Sequence, residues 1–401
     1  MIYAIIKIVD GGTNMDNFVF HNPTSIYFGK GQIKVLDSVL AKYGKKVLLV
    51  YGGGSIKKYG LYDKVMDQLK DFEVYELSGV NPNPRIESVR EGVKICRDKE
   101  IDVLLAVGGG SCIDCSKAIS AAVHYEKDPW DIVMDATKIK EVLPIVDILT
   151  IAATGSEMNG TAVITNFATN EKRGFGSDKL YPKASILDPE NTFTLPAHQS
   201  AAGVADIMSH TFEQYFNVTQ GAYLPRELAH GILKTCILYG PIVLKEPENY
   251  EARANIMWAA TLALNGLLAC GIGKSWSCHP MEHALSAYFD VTHGTGLAVI
   301  TPKWMRYILD DTTVDCFAQY GVGVWGIDAT LDAYTIAKEA IAKTETFLFE
   351  AMQIPSTLHE IGIDGKFEAM AQEAVDSKGG AIKGFKTLLK EDVVKIFEMC
   401  K

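Results

Sequence analysis

The chain has 401 residues, enough for two domains that each bury a core, and its composition of 48% hydrophobic and 22% charged residues is that of a globular protein. A formal net charge of −10 argues against a nucleic-acid partner, and the apolar opening at residues 2–9 is too short to cross a bilayer. Eight scattered cysteines, with no persuasive secretion signal, predict reduced thiols and a cytoplasmic location.

The first half of the chain alternates short β-branched runs with amphipathic stretches. Residues 1–14 are open to three interpretations: a mis-assigned start, an extra edge strand or a disordered tail. Further along, buried strands are predicted at residues 46–51, 103–107, 145–151 and 184–188, with helices at 62–70 and 86–99. This rhythm predicts a Rossmann-like, mostly parallel sheet covered by helices on both faces.

After Pro196 the apolar residues follow helical spacing. Helices are predicted at residues 201–216, 226–239, 250–269 and 331–352, with Pro241, Pro247 and Pro302 between helices. We therefore expect an α/β domain over residues 1–195 and an all-helical domain over residues 196–401. A ligand cleft is expected between them.

Two predicted strands run into the same glycine-rich turn. The first turn is Gly52, Gly53, Gly54 and Ser55, and the second is Gly108, Gly109, Gly110 and Ser111. A glycine turn at a helix start brings backbone N–H groups and the positive end of the helix dipole toward an anion. Neither turn matches the dinucleotide fingerprint or a P-loop. Two copies still favour nucleotide binding over plain turn chemistry.

Side chains near these turns leave several interpretations open. Asp114 can hydrogen-bond the turn or a ligand hydroxyl, or simply compensate the helix dipole. Lys57 and Lys58 can accept a ribose 2′-phosphate or form a solvated helix face. Cys112 and Cys115 form a C-x-x-C pair, which predicts a redox pair less well than it predicts two ordinary thiols in this glycine-rich context.

Four residues have the ligand types of a site for one divalent metal: Asp206, His210, His279 and His293. Asp206 and His210 are spaced i, i+4, so they share a helix face, and His279 and His283 repeat this spacing. One carboxylate and three neutral imidazoles leave a net charge near +1 on the ion, which suits a developing alkoxide. The absence of Cys ligands is consistent with Fe²⁺ or Zn²⁺.

A rival motif overlaps this set. Residues 279–283 match H-x-x-E-H, in which His279 and His283 would bind zinc and Glu282 would be the general base of a peptidase. That interpretation leaves Asp206, His210 and both glycine turns without a function. We therefore favour the four-ligand site.

Taken together, these motifs resemble the iron-containing (group III) alcohol dehydrogenase family, and most closely its butanol dehydrogenase branch. The resemblance runs from Phe18 onward and rests on the two glycine turns, Asp114 with Lys117, residues 153–157, and the Asp and His spacings. It implies a dehydroquinate-synthase-like fold, an NAD(P)H cofactor and one divalent metal, with Fe²⁺ favoured over Zn²⁺. Relatives are often dimers, so the resemblance favours a homodimer.

Carried over residue by residue, the resemblance implies a role for each site position. Asp206, His210, His279 and His293 would bind the metal, and His283 would line the site without ligating it. Residues 108–111 would hold the pyrophosphate, and Gly53, Gly54 and Ser55 the adenosine ribose. The positions expected on the nicotinamide side are Thr150, Thr154 and Lys172. An acidic residue at the ribose, which favours NAD, is absent here, so NAD and NADP both stay open.

The expected activity is reversible reduction of an aldehyde to a primary alcohol, with substrates of short to medium length such as butanal. Trp276, Phe193 and Leu267 are candidates for the substrate pocket and are equally credible as core. Two rival functions stay open: a metal-assisted lyase or cyclase without net redox, and a non-catalytic metal-binding protein.

Overall fold

A computed structural model describes residues 14–219, 221–273 and 275–401. The opening apolar run at residues 2–9 lies outside these residues. Within them the strands, in chain order, are β1 (Ser25–Phe28), β2 (Lys46–Tyr51), β3 (Glu73–Leu77), β4 (Val103–Gly108), β5 (Ile145–Leu149), β6 (Thr161–Asn166), β7 (Glu171–Gly176), β8 (Ala184–Leu187), β9 (Ile382–Lys383) and β10 (Thr387–Leu388).

The α-helices follow two distributions, short and interspersed in the first half, long and consecutive in the second. They are α1 (Leu36–Leu40), α2 (Ser55–Lys58), α3 (Leu61–Gln68), α4 (Ile86–Lys99), α5 (Gly110–Ala122), α6 (Trp130–Met134), α7 (Ala197–Tyr215), α8 (Tyr223–Lys245), α9 (Tyr250–Ala263), α10 (Cys278–Phe289), α11 (His293–Ile308), α12 (Val314–Trp325), α13 (Ala333–Thr346), α14 (Phe367–Asp376) and α15 (Lys390–Met399).

Six strands form one parallel sheet in the order β1-β8-β5-β4-β2-β3. The side chains of β2 alternate between two cores: Leu48 and Val50 pack on one face, Val47 and Leu49 on the other. A strand that is buried on both faces is apolar along its whole length. This continuous apolar run is the pattern from which β2 was predicted. The Rossmann-like parallel sheet is thereby confirmed.

The second half is mostly helical, as predicted, and is built around a single large core cluster. The expectation that it is all-helical is wrong in one detail, because β9 and β10 form a two-residue antiparallel hairpin. These strands are too short to leave an alternating pattern in the sequence. The boundary predicted between residues 195 and 196 falls in the segment that joins β8 to α7, and the division into two domains stays a prediction.

Two of the three prolines expected between helices lie inside them. Pro241 lies within α8 and Pro302 within α11, while Pro247 separates α8 from α9. Proline removes one helical hydrogen bond, yet both helices continue because their apolar faces are packed in the core. By length and composition alone α8 could cross a membrane, but it packs against α7, α9 and α12.

We expect glycine to be required where α7 passes the α/β half. A Cβ built on Gly203 in α7 would lie 2.5 Å from the carbonyl oxygen of Ala152. Gly203→Ala should lower the free energy of unfolding by about 1–3 kcal/mol through overpacking. In Gly231→Ala, within α8, the new Cβ meets nothing within 4 Å, and this control should be stabilised by up to about 1 kcal/mol. Urea unfolding measures both changes; equal effects would contradict the packing argument.

Candidate metal and nucleotide site

One cleft of about 1480 Å³ lies between the sheet and the helical half. All residues predicted to form the site line it. They are Gly53, Gly54, Ser55, Gly108, Gly109, Gly110, Ser111, Asp114, Thr150, Thr154, Lys172, Asp206, His210, His279, His283 and His293. Of the three pocket candidates, Trp276 is among the lining residues, whereas Phe193 and Leu267 are not.

The glycine turns lie at the point where the sheet order reverses. From β2 the chain moves to β3 on one side, and from β4 it moves to β5 on the other. β2 and β4 are neighbours in register, with Tyr51 opposite Val107, so the two turns leave the sheet side by side. Ligands of open α/β sheets bind in this crevice outside the carboxyl ends of the strands.

The glycines of the two turns serve different physical needs. Cβ atoms on Gly108 and Gly110 would lie 2.5 Å from Cys112 Sγ and 2.3 Å from Thr154 Oγ1, so these positions are closed by the protein itself. A Cβ on Gly53 would meet no atom within 4 Å and would project into the cleft. Gly53 also lacks a positive φ, so neither packing nor backbone conformation explains it. A position without a side chain here would allow a ligand to approach the backbone closely, so Gly53 stays a predicted cofactor contact.

The C-x-x-C pair lies at the start of α5 and is buried. Burial raises the pKa of the Cys112 thiol to about 12 and holds that of Cys115 well above its usual value. A redox-active cysteine needs an accessible thiolate. The structure therefore supports two ordinary buried thiols.

The carboxylate of Asp114 is already engaged in hydrogen bonds within the protein and is not free to bind a ligand. Its carboxylate accepts hydrogen bonds from Ser156 Oγ at 2.6 Å and from the backbone N–H of Val163 at 2.9 Å. Beside it, the buried Lys117 Nζ donates to Ser156 and Asn159. This network fixes the turn that begins at Thr154, and Thr154 packs against Gly110. Asp114 thus shapes the nucleotide side of the cleft indirectly.

Lys57, one of the two lysines that could accept a ribose 2′-phosphate, already has a partner in the structure. Lys57 Nζ lies 3.3 Å from a Glu76 carboxylate oxygen, which also accepts a hydrogen bond from Tyr51, and it lies 4.4 Å from the centroid of the Tyr62 ring. Its charge is therefore already paired. Lys58 lines the cleft and has no ion-pair partner among the described residues.

Three helices bring the predicted metal ligands together. Asp206, His279 and His293 offer ligand atoms that all lie within 4.8 Å of one another. His210, one turn after Asp206 on α7, joins them: its Nδ1 is 3.4 Å from Asp206 Oδ1, and its ring centroid is 4.7 Å from that of His279. The four residues come from α7, α10 and α11, so only the tertiary fold assembles them.

Three atoms of this set are buried without a hydrogen-bond partner: Asp206 Oδ1, His210 Nδ1 and His279 Nε2. Buried polar atoms are nearly always paired, and an unpaired carboxylate oxygen is especially costly. Burial also lowers the pKa of His210 to about 3, which keeps its imidazole neutral. Neutral imidazoles and an ionised carboxylate are what a divalent cation requires, so these residues fit one.

Glu213 holds His279 in place. Its carboxylate accepts hydrogen bonds from the backbone N–H groups of Ser277, Cys278 and His279, and it therefore caps the N-terminus of α10. The same carboxylate lies 3.1 Å from His279 Nδ1. A proton held on Nδ1 leaves Nε2 free for a metal.

Glu282 plays the corresponding part for His293. Its carboxylate contacts His293 Nδ1, Ser286 Oγ and Lys172 Nζ, the last at 3.2 Å. Burial opposes its ionisation, yet His293 and Lys172 hold its pKa at about 2. Glu282 is thus engaged on every side and is not free to act as a peptidase base, so the structure does not support the H-x-x-E-H interpretation.

His283 lines the cleft beside the metal set without belonging to the group around Asp206. Its ring centroid is 5.7 Å from that of His293. Burial and the neighbouring Lys172 lower its pKa well below the usual value, so the imidazole is neutral. Ligand atoms of His283, Glu282 and His293 also lie within 4.8 Å of one another. That His283 lines the site without ligating stays a prediction.

Three residues of the site were not predicted from the sequence: Glu213, Glu282 in its supporting role, and Asn83. Asp206, His210 and Glu213 are spaced i, i+4, i+7 on one helix face, so the spacing could have revealed Glu213. Glu282 stands three residues after His279 and was considered only as a base. No local signal marks Asn83, which follows β3 and reaches this cleft through tertiary folding.

Family models match both halves of the chain. Residues 23–189 match the model described as iron-containing alcohol dehydrogenase. Residues 200–400 match the model described as Fe-containing alcohol dehydrogenase family, C-terminal.

Individual relatives are similar over nearly their whole length. NADH-dependent butanol dehydrogenase A of Clostridium acetobutylicum is 54% identical over 96% of this chain and 99% of its own. The NADPH-dependent aldehyde reductase YqhD of Escherichia coli is 43% identical over 88% of this chain and 90% of its own. The solved structure of NADH-dependent butanol dehydrogenase A from Thermotoga maritima superposes with a TM-score of 0.92 at 40% identity, covering 97% of this chain and 99% of that one.

A test of the nucleotide side follows from the open space at Gly53. Gly53→Ala adds a methyl group where the backbone is expected to approach the cofactor, so the dissociation constant for NAD(P)H should rise about tenfold, the cost of one weakened charge-assisted hydrogen bond. Fluorescence titration measures it. The melting temperature should stay unchanged, because the Cβ meets no protein atom. Gly365→Ala, also in open space but outside the cleft, is the control. Unchanged cofactor affinity in Gly53→Ala would remove this turn from the site.

Proposed function

The chain belongs to the iron-containing alcohol dehydrogenase family, and from that membership we propose that it interconverts short- to medium-chain primary alcohols and their aldehydes, with butanol and butanal as representative substrates. It is an NAD(P)-dependent alcohol dehydrogenase. The single observation that carries the proposal is the set of unpaired buried atoms on Asp206, His210 and His279, in the same cleft as the two glycine turns.

The proposed metal ligands are Asp206, His210, His279 and His293, with Fe²⁺ favoured over Zn²⁺. When bound, a divalent cation polarises the substrate oxygen, and the nicotinamide supplies or takes the hydride. The protein's contribution is to hold four ligand side chains in one geometry. Glu213 and Glu282 do so by fixing the Nδ1 proton of His279 and of His293, respectively.

The cleft walls are proposed to orient the two reactants. The turns after β2 and β4 lie at the reversal point of the sheet, where residues 108–111 would hold the pyrophosphate and Gly53, Gly54 and Ser55 the ribose. Thr150 and Thr154 line the wall between these turns and the metal set. His283, half-buried and neutral beside the four proposed ligands, would orient the substrate hydroxyl or pass its proton on.

NADH is the proposed preferred cofactor. Lys57, one of two lysines available to a 2′-phosphate, is already paired with Glu76. The 54% and 53% identical relatives are named NADH-dependent. The NADPH-dependent YqhD shows that the branch also accommodates the phosphate. The ratio of kcat/KM with NADH to that with NADPH decides this, and a ratio below one would refute it.

The homodimeric state and the cytoplasmic location expected from the sequence stay predictions. So does the absence of membrane and nucleic-acid partners.

The metal role has a direct test in Asp206→Asn, which keeps the shape of the side chain and removes its charge. Loss of the cation's polarising effect, several kcal/mol, should lower kcat for butanal by about 10³-fold. Consumption of NADH, followed by absorbance, measures it, alongside elemental analysis. Chelation of the wild-type protein should abolish turnover, and Fe²⁺ should restore it. Asp98→Asn, on the exposed face of α4, is the control.

The outcomes separate the three candidate functions. Turnover that survives chelation would contradict the metal role. Product formation without net NADH consumption would favour the lyase or cyclase alternative. A metal-bound protein with no turnover of any kind, destabilised by Asp206→Asn, would indicate a structural metal.

The proposed role of His283 predicts that metal content and turnover can be separated. His283→Ala should lower kcat for butanal by about 10²-fold or more, the usual contribution of a positioned proton-transfer group. The metal content should stay at the wild-type level because the other four residues carry the ligands. Elemental analysis and steady-state kinetics measure the two quantities. Loss of the metal together with activity would make His283 a ligand instead.

A further inference from the structure

Lys172 is a buried lysine that crosses the cleft. It lies on β7, its side chain is 4% exposed, and its Nζ donates to Asn83 Oδ1 at 2.9 Å and to Glu282 Oε2 at 3.2 Å. Lys172 and Asn83 belong to the α/β half, whereas Glu282 lies on α10 of the helical half. A buried ammonium needs a carboxylate partner, and this one is found on the opposite wall.

Asn83 makes further bonds across the same gap. Its amide donates to Asp290 Oδ1 at 3.1 Å and to the carbonyl oxygen of Val291 at 3.0 Å. Ser286 Oγ lies 3.1 Å from that same carbonyl and also contacts Glu282. The contacts therefore close a ring that runs from Lys172 through Asn83, Val291, Ser286 and Glu282 back to Lys172.

Two residues of this region hold a disfavoured backbone conformation. Asn83 has φ 53° and Asp290 has φ 52°, both in the left-handed region. They are hydrogen-bonded to each other across the cleft, and Arg85 adds an ion pair to Asp290 at 2.9 Å. Residues in such conformations persist only where their surroundings hold them, and they cluster at functional sites.

The ring includes Glu282, which orients His293, one of the proposed metal ligands. Glu282 contacts His293 Nδ1 and thereby leaves Nε2, which lies 3.7 Å from Asp206 Oδ1, free of a proton. Without Lys172, the Glu282 carboxylate would be buried with no cation beside it. Its position, and with it the orientation of the His293 ring, would no longer be fixed.

We propose that Lys172 and Asn83 are positioning residues of the metal centre. They hold His293 toward Asp206 from the opposite wall of the cleft, through Glu282 and through the contact of Lys172 Nζ with His293 Nδ1 at 3.4 Å. The inference rests on the proposed metal site and goes beyond it. The α/β half, which supplies none of the four proposed ligands, sets the orientation of one of them. Retention of the metal then depends on the contacts that Lys172 and Asn83 make across the cleft.

The test measures how fast a chelator removes the metal from the purified, loaded protein. Lys172→Met keeps the length of the side chain and removes its charge. Release should be about 10- to 100-fold faster than in the wild type, the usual effect of losing a residue that orients a ligand. Asn83→Gly, which tolerates the left-handed backbone, should act in the same direction.

Arg173→Met is the matched control. Arg173 follows Lys172 on β7, and its ion pair with Glu373 on α14 also joins the two halves, but it touches no ligand or support. Its release rate should stay within about twofold of the wild type, since it contacts neither a ligand nor a residue that orients one. Equal acceleration by Arg173→Met, or none by Lys172→Met, would overturn the proposal. If Lys172→Met fails to fold, Asn83→Gly decides by the same criterion.

The metal content of the wild type separates this inference from the proposed function. A wild-type protein that holds no ion refutes the metal centre itself and the inference with it. A wild-type protein that holds one ion, and releases it no faster after Lys172→Met, refutes the inference alone.

Discussion

The burial of three carboxylates, those of Asp206, Glu213 and Glu282, is the constraint on which the proposed site depends. Glu213 is satisfied by the backbone N–H groups that begin α10, and Glu282 by Lys172, Ser286 and His293. Asp206 Oδ1 alone has no hydrogen-bond partner. Desolvating a carboxylate is expensive unless opposite charge is supplied, and the proposed cation beside Asp206 would supply it. The imidazoles of His210, His279 and His293 surround the same point.

The sheet order imposes the second constraint. The strand order reverses between β2 and β4, which opens a crevice at their carboxyl ends, and both strands end in glycine turns there. α7 then passes close to the sheet because Gly203 allows contact with Ala152. As a consequence of these two features, the glycine turns proposed to hold the cofactor and the residues proposed to bind the metal line one cleft.

Much of the fold and the site was predictable, for identifiable reasons. Strands β2 and β4 are continuous apolar runs that end in glycine, and the i, i+4 spacing of Asp206 and His210 is a helix property. Strands β1, β3 and β7 were missed because they are short or half-exposed, whereas β6 was missed although most of it is buried. Pro241 was wrongly expected between helices, because tertiary packing allows α8 to continue past it. The pairing of Lys57 with Glu76, 19 residues away, left no signal in the sequence.

The contacts that no sequence pattern revealed are those that join the halves. Lys172 and Glu282 are separated by 110 residues, and Asn83 and Asp290 by 207. Pairs so far apart leave no repeating pattern in the sequence. Each of the residues, taken alone, is of a polar type that is usually found on the protein surface. Lys172, Asn83 and Glu282 are nevertheless buried, whereas Asp290 stays 43% exposed. Because Glu282 contacts both Lys172 and His293, the orientation of this proposed ligand would depend on contacts that both halves of the chain supply.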